Sequence, residues 1–170
     1  MVAEGVKKMK IDKKYIKMCE KAKEIQKIAP SPEEEGCFFY NPYLDEIMCR
    51  DGWNYCVVYD KNLDDGFSDG VYECETEDWH KDENIVWLPR QDQLQEMVKD
   101  DTKPLRAQYI YLLGDFVAWW KNEISEKYAI KFLTFEQMWL AFVMWKKYGK
   151  IWDEEKEEWV SLHEKNKGGK

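Results

Sequence analysis

"IVWLPRQDQLQEMV", Ile85–Val98, changes backbone rhythm partway along. Ile85, Val86, Trp87 and Leu88 are the apolar, β-branched and aromatic residues that suit a buried strand. Pro89 cannot donate to a sheet ladder and keeps its predecessor extended, so the strand must stop there. Gln91 and Asp92 then suit the first turn of a helix, and Leu94, Met97 and Val98 share one helical face. The stretch carries no Gly, His or Ser to suggest catalysis, so the spacing predicts a strand-to-helix corner. A second reading makes Arg90, Gln91, Asp92, Gln93 and Gln95 a hydrogen-bonding surface for a ligand.

On the N-terminal side of this corner the pattern is β-like. Runs near Cys37–Tyr40, Glu46–Arg50, Trp53–Tyr59, Val71–Cys74 and Ile85–Leu88 are separated by turn residues. Asp51-Gly52 is a favoured two-residue hairpin turn, since both residues tolerate positive φ. Local connections favour antiparallel pairing, which predicts a meander of about five strands. Ahead of the strands, Tyr15, Met18 or Cys19, Ala22, Ile25 and Ile28 or Ala29 recur at helical spacing over residues 12–29. Asp12 is the expected N-cap, and Pro30 and Pro32 end the helix. Lys13, Lys14, Lys17, Lys21, Lys23 and Lys27 fall largely on its other face. With Glu20 and Glu24 interleaved they read as a solvated face rather than a nucleic-acid contact.

On the C-terminal side the pattern is helical. Thr102 is a candidate cap ahead of Pro104, and Leu105, Tyr109, Leu112, Leu113, Phe116 and Trp120 form a broad apolar stripe. Gly114 within it points to close packing or a bend. Thr134-Phe135-Glu136-Gln137 is a capping box, with Leu133 and Met138 placed as a hydrophobic staple. Met138, Trp139, Ala141, Phe142 and Trp145 continue that helix to Gly149. Lys150–Trp152 and Trp159–Leu162 then flank a charged turn, as in a terminal hairpin. The expectation is an α+β protein: a leading helix, the meander, a helical C-terminal half and a short hairpin. Residues 1–11 read as a flexible N-terminus, 12–162 as a single domain and 163–170 as a disordered tail. With 170 residues, 44% hydrophobic and 15% aromatic, the chain has the material for one substantial core.

Charge is distributed unevenly. Residues 1–28 carry +5, residues 29–83 carry −13, and the remainder is neutral, for a total of −8. No apolar run approaches the roughly 20 residues of a membrane span, and no apolar region follows the N-terminal lysines, so a cytoplasmic, non-membrane protein is expected. Cys19, Cys37, Cys49, Cys56 and Cys74 form no CxxC pair and read as reduced, mostly buried thiols. Cys37, Cys49, Cys56 and Cys74, with His80, lack the usual spacing of a zinc site. Asp60, Asn62 and Asp64 start like an EF-hand loop, but Asp65 stands where Gly is needed and Val71 where the bidentate Glu belongs. No metal and no cofactor is therefore expected.

No phosphate loop, nucleophile elbow, dinucleotide fingerprint or HExxH motif is present, and no catalytic residue is assigned. The lead reading is a non-enzymatic interaction protein. Asp64, Asp65, Asp69, Glu73, Glu75, Glu77, Asp78, Asp82 and Glu83 would present an acidic surface to a basic partner, as a mimic of nucleic-acid phosphate would. Overall charge disfavours direct nucleic-acid binding, and oligomeric state is left open. The alternative is a ligand-binding protein or enzyme, with an aromatic pocket between sheet and helices formed by Trp87, Tyr109, Trp119 and Trp120 and oriented by Arg90 or Gln91.

Three stretches, "YIKMCEKAKEIQK" (Tyr15–Lys27), "WLPRQDQLQEM" (Trp87–Met97) and "QMWLAFVMWKKYGKIWDEEKEEWV" (Gln137–Val160), resemble a group of bacteriophage- and prophage-encoded proteins with no established activity. The resemblance transfers no site residue. It implies a small phage accessory protein working in a bacterial host cell, whose basic partner would be a host nucleic-acid-binding or defence protein, the latter inhibited by the acidic surface.

Overall fold

The computed structural model describes residues 12–31, 36–42, 46–51, 54–60, 85–122, 128 and 130–162. The chain packs as two compact units, Met1–Leu88 and Pro89–Lys170. The boundary falls inside the Leu88-Pro89 corner. The proposed termini, 1–11 and 163–170, and the proposed strand Val71–Cys74 lie outside the described residues.

In the first unit, α1 (Lys13–Lys21) starts where Asp12 Oδ1 accepts the Tyr15 N–H at 3.1 Å. The expected single helix over 12–29 breaks at Ala22, whose ψ of 67° leaves the helical region, and α2 (Lys23–Gln26) follows as one turn. Tyr15, Ile16, Met18, Cys19, Ala22 and Ile25 are buried. Strands β1 (Phe38–Asn41), β2 (Glu46–Asp51), β3 (Asn54–Asp60) and β4 (Val86–Leu88) form one antiparallel sheet in the order β3-β2-β1-β4. The Asp51↔Asn54 pairing leaves Gly52-Trp53 as the connecting residues, one position later than expected.

This order overturns the continuous five-strand meander. The strand that ends at Leu88 lies beside β1, the first strand, with Phe39 opposite Trp87. The physical reason lies in burial and hydrogen bonding. All three β4 residues are buried, so an outer edge left open would strand the backbone groups of Trp87 without water. On the side away from β1, the Gln26 carboxamide closes the edge, and α1 packs against β4. Gln26 Oε1 accepts the Trp87 N–H at 2.9 Å, and its Nε2 donates to the Trp87 carbonyl at 3.0 Å and to the Cys19 carbonyl at 3.0 Å. One side chain thus stands in for a missing strand and caps the break after α1.

In the second unit, α3 (Gln91–Glu96) starts at Arg90, whose N–H donates to Gln93 Oε1 at 2.8 Å. Leu94 and Val98 are buried, as their spacing requires. Helix α4 (Leu105–Lys121) begins after Pro104 rather than at Thr102, because Thr102 turns its hydroxyl and its N–H onto Asp100 Oδ1. Its buried face is Gln108, Leu112, Phe116 and Trp119, whereas Leu105, Tyr109 and Leu113 of the expected stripe are exposed. Helix α5 (Phe135–Tyr148) is buried continuously from Gln137 to Met144. Thr134 caps it through the Gln137 N–H, and Gly149 ends it at φ 62°, a left-handed conformation suited to glycine. The Gln137 side chain accepts from the Leu133 N–H, one residue earlier than in a capping box. Leu133 is 87% exposed, so no staple forms.

A separate two-stranded sheet, β5 (Lys150–Asp153) with β6 (Glu158–Ser161), closes the unit with Trp152 opposite Trp159. The α+β class and the helix, sheet, helix, hairpin order stand. Among the described residues no helix is long and apolar enough to cross a membrane.

Replacing Gln26 by Leu keeps the bulk but leaves two Trp87 backbone groups unpaired, at about 1–3 kcal/mol each. Urea unfolding of the full chain followed by circular dichroism should show a loss of roughly 3 kcal/mol. Gln26→Glu should lose a similar amount, since a carboxylate oxygen would face two carbonyl oxygens. Near-wild-type midpoints would refute the edge-closing role.

Candidate functional site

The acidic residues Asp64, Asp65, Asp69, Glu73, Glu75, Glu77, Asp78, Asp82 and Glu83 lie outside the described residues. Their anchor points do not. The chain leaves the sheet at Asp60, the end of β3, and re-enters it at Val86, the start of β4. These strands are the two edges of the four-stranded sheet. The acidic residues are therefore confined to one connection whose ends are held about 14 Å apart by three strand spacings.

The aromatic pocket residues are distributed differently from the sequence expectation. Trp87 is buried in β4 of the first unit, with its main chain held by Gln26. Arg90, Gln91, Tyr109, Trp119 and Trp120 belong to the second unit. Arg90 makes a two-point ion pair with Asp92, Nε to Oδ1 at 3.0 Å and an Nη to Oδ2 at 2.9 Å. Hydrogen bonding from Arg90 holds the Asp92 carboxyl below the usual carboxylate range. Gln91 is half-buried in the first turn of α3, and Trp120 is half-buried on α4. Tyr109 and Trp119 are ten residues apart on α4 and hence separated by about 15 Å along its axis. They cannot face one small ligand together.

Trp119 does line a cleft, of about 590 Å³, with Asp115, Ala118, Asn122, Trp145, Lys146 and Leu162. Its aromatic wall is built by α4 and α5. Phe116 stacks on Trp139 at 4.2 Å between ring centroids, Trp119 lies 5.4 Å from Phe142, and Trp119 and Trp145 are 6.3 Å apart. Lys146 and Asp115 form an ion pair at the rim. The Trp119 Nε1–H is buried without a hydrogen-bond partner among the described residues. Tyr128 meets Trp119 edge-on, and its hydroxyl accepts the Trp152 N–H, joining this wall to the terminal hairpin. Burial pushes the Tyr128 pKa up, so the phenol stays protonated and serves packing. The sequence pointed to Trp119 by its aromatic character. Asp115, Asn122 and Lys146 carried no motif, because the pairing of Asp115 with Lys146 spans 31 positions.

Of the cysteines, Cys19 and Cys37 are buried, and Cys49 is half-buried. The strand register sets Cys49 opposite Cys56, while Cys74 and His80 lie outside the described residues. Among the described residues no cluster of three metal-ligating side chains occurs. Desolvation pushes the Cys19 thiol well above its ordinary pKa, which suppresses the reactive thiolate. Peptide mapping after iodoacetamide treatment should therefore find Cys19 unlabelled in the native protein and labelled in urea, with Cys49 reacting faster in the native state. Rapid native labelling of Cys19 would contradict its burial.

Comparison with known proteins matches no family model, no curated protein and no solved structure.

Proposed function

We propose that this protein is a non-enzymatic interaction protein that offers its acidic connection to a basic partner. The observation that carries the reading is the joining of opposite sheet edges by the chain's most acidic stretch, ten acids against two lysines over residues 60–83. Held at both ends by paired strands, such a connection loses less conformational entropy on binding than a loose tail of equal charge. Dense negative charge accelerates encounter with a basic surface, the same surface that would otherwise take nucleic-acid phosphate. The resemblance to phage-encoded proteins favours an infected bacterial cell as the setting, and a host nucleic-acid-binding or defence protein as the partner of matching charge.

A second reading rests on the cleft. Trp119, Trp145, Ala118 and Leu162 offer an apolar wall and Asp115, Asn122 and Lys146 a polar rim, which suits a flat ligand with one polar edge.

Tagged pull-downs from bacterial lysate at low and high salt test the first reading, comparing the wild type with a variant carrying Asp64→Lys, Asp65→Lys, Glu75→Lys and Glu77→Lys. A protein retained at low salt, released at high salt and absent with the variant is the expected result. Capture that is indifferent to salt and charge reversal would defeat it. For the cleft, tryptophan fluorescence titrated with nucleotides should shift in the wild type and lose the shift in Trp145→Phe. A flat response across the panel would remove this reading.

A further inference from the structure

Strands β2 and β3 bring two cysteines together. Counting back from the Asp51↔Asn54 pair at the hairpin turn, the antiparallel register sets Cys49 directly opposite Cys56. Residues so paired share one face of the sheet, with Cα atoms about 4.5 or 5.5 Å apart and Cβ atoms about 4.5–5.5 Å apart. A disulfide spans Cα separations of about 4.4–6.8 Å, so either kind of pair lies within its reach. The Cβ atoms must draw closer by about 1 Å, and strain of that kind makes the bond easier to reduce.

The other described cysteines are placed differently. Cys19 is fully buried on α1. Cys37 is buried and immediately precedes Phe38, the β1 residue opposite Cys49. Alternation along the chain therefore puts Cys37 on the other face of the sheet from Cys49. Cys49 itself is reduced and half-buried, within reach of a small reagent.

We propose that Cys49 and Cys56 form a reversible redox pair that fastens β3 to β2, with a low-molecular-weight disulfide as the oxidant. The Cys49 thiolate attacks one sulfur of the small disulfide, forming a mixed disulfide and expelling one small thiolate, which takes up a proton. The Cys56 thiolate then attacks the Cys49 sulfur, closes the intrachain bond and expels the second small thiolate, which is protonated in turn. Two protein thiols are oxidised and one small disulfide is reduced to two thiols. Excess small thiol runs the exchange backwards. In a reducing compartment a bond of this kind is transient and reports on redox state.

Position gives the bond its consequence. Strand β3 is an outer strand of the sheet and ends at Asp60, where the acidic connection begins. Between the cysteine pair and that end the register slips, since Met48 faces Val57 but Ile47 faces Tyr59, leaving Val58 as an extra residue. A bulge interrupts the ladder and loosens the pairing around it. Closing the Cys49–Cys56 bond secures β3 on the turn side of that weak point and steadies the strand from which the acidic connection departs. The redox pair does not depend on what that connection binds.

The test treats the native full chain with oxidised glutathione, blocks remaining thiols with iodoacetamide and maps tryptic peptides without reduction. Cleavage after Arg50 puts Cys49 and Cys56 on separate peptides, and fragmentation tells Cys49 from Cys37 on the first. The expected product has lost two hydrogens, joins Cys49 to Cys56 and reverts with dithiothreitol. Oxidation should also slow amide hydrogen exchange in β2 and β3 about tenfold or more. Cys56→Ser should stop at a glutathione adduct on Cys49, with exchange in these strands unslowed. A lasting glutathione adduct on Cys49 of the wild type, a bond from Cys49 to Cys37 or Cys74, or an unreacted Cys49 overturns the proposal. So does a Cys49–Cys56 bond that leaves exchange in β3 unchanged.

Discussion

The Gln26 carboxamide is the fastening on which the first unit depends. A fully buried three-residue strand cannot sit at a sheet edge unless its outward N–H and C=O find partners, because an unpaired backbone group in a dry setting is costly. Gln26 supplies both partners to Trp87 and spends its remaining N–H on Cys19. The break at Ala22 is part of the same device, since a helix continuing unbroken would carry residue 26 around to a different angle. Once β4 is fixed at this edge, the connection from β3 has to run from one side of the sheet to the other.

The second unit is organised by burial. Helix α5 is enclosed for eight successive residues, so it cannot be amphipathic, and other elements have to cover it on every side. Phe116 and Trp119 of α4 supply aromatic faces, packing stacked against Trp139 and edge-on or tilted against Phe142. Trp152 and Trp159 meet edge-on within the hairpin at 5.2 Å, and Tyr128 ties that hairpin to Trp119. The cleft lined by Trp119 and Trp145 lies along this aromatic assembly. Its ion pair between Lys146 and Asp115 keeps the Asp115 carboxylate mostly in water and the Lys146 side chain partly so, and it contributes little to stability.

Much of the local architecture was legible in the residues. Asp12, Thr134 and Gly149 act as read, because a cap is made by groups three or four positions apart. The corner at Leu88-Pro89 forms as expected, since proline's missing N–H is a property of one residue. The candidate site was less legible. The acidic residues announced themselves by charge, but the cleft drew Asp115, Asn122 and Lys146 from two helices with no shared motif. Trp87, Tyr109 and Trp119 were grouped by aromatic character, which carries no information about distance.

The sequence by itself determined the caps, the succession of elements and the separation of charge, all of which depend on neighbours along the chain. Tertiary structure alone decided that β4 would lie beside β1, that the leading helix would break at Ala22, and which of the two apolar faces of α4 would be buried. Those choices turn on groups far apart in the chain, such as Gln26 and Trp87 at a separation of 61 residues. Apolar residues stand on both the buried and the exposed sides of α4, so periodicity alone could not choose, and the aromatic surface of α5 made the selection.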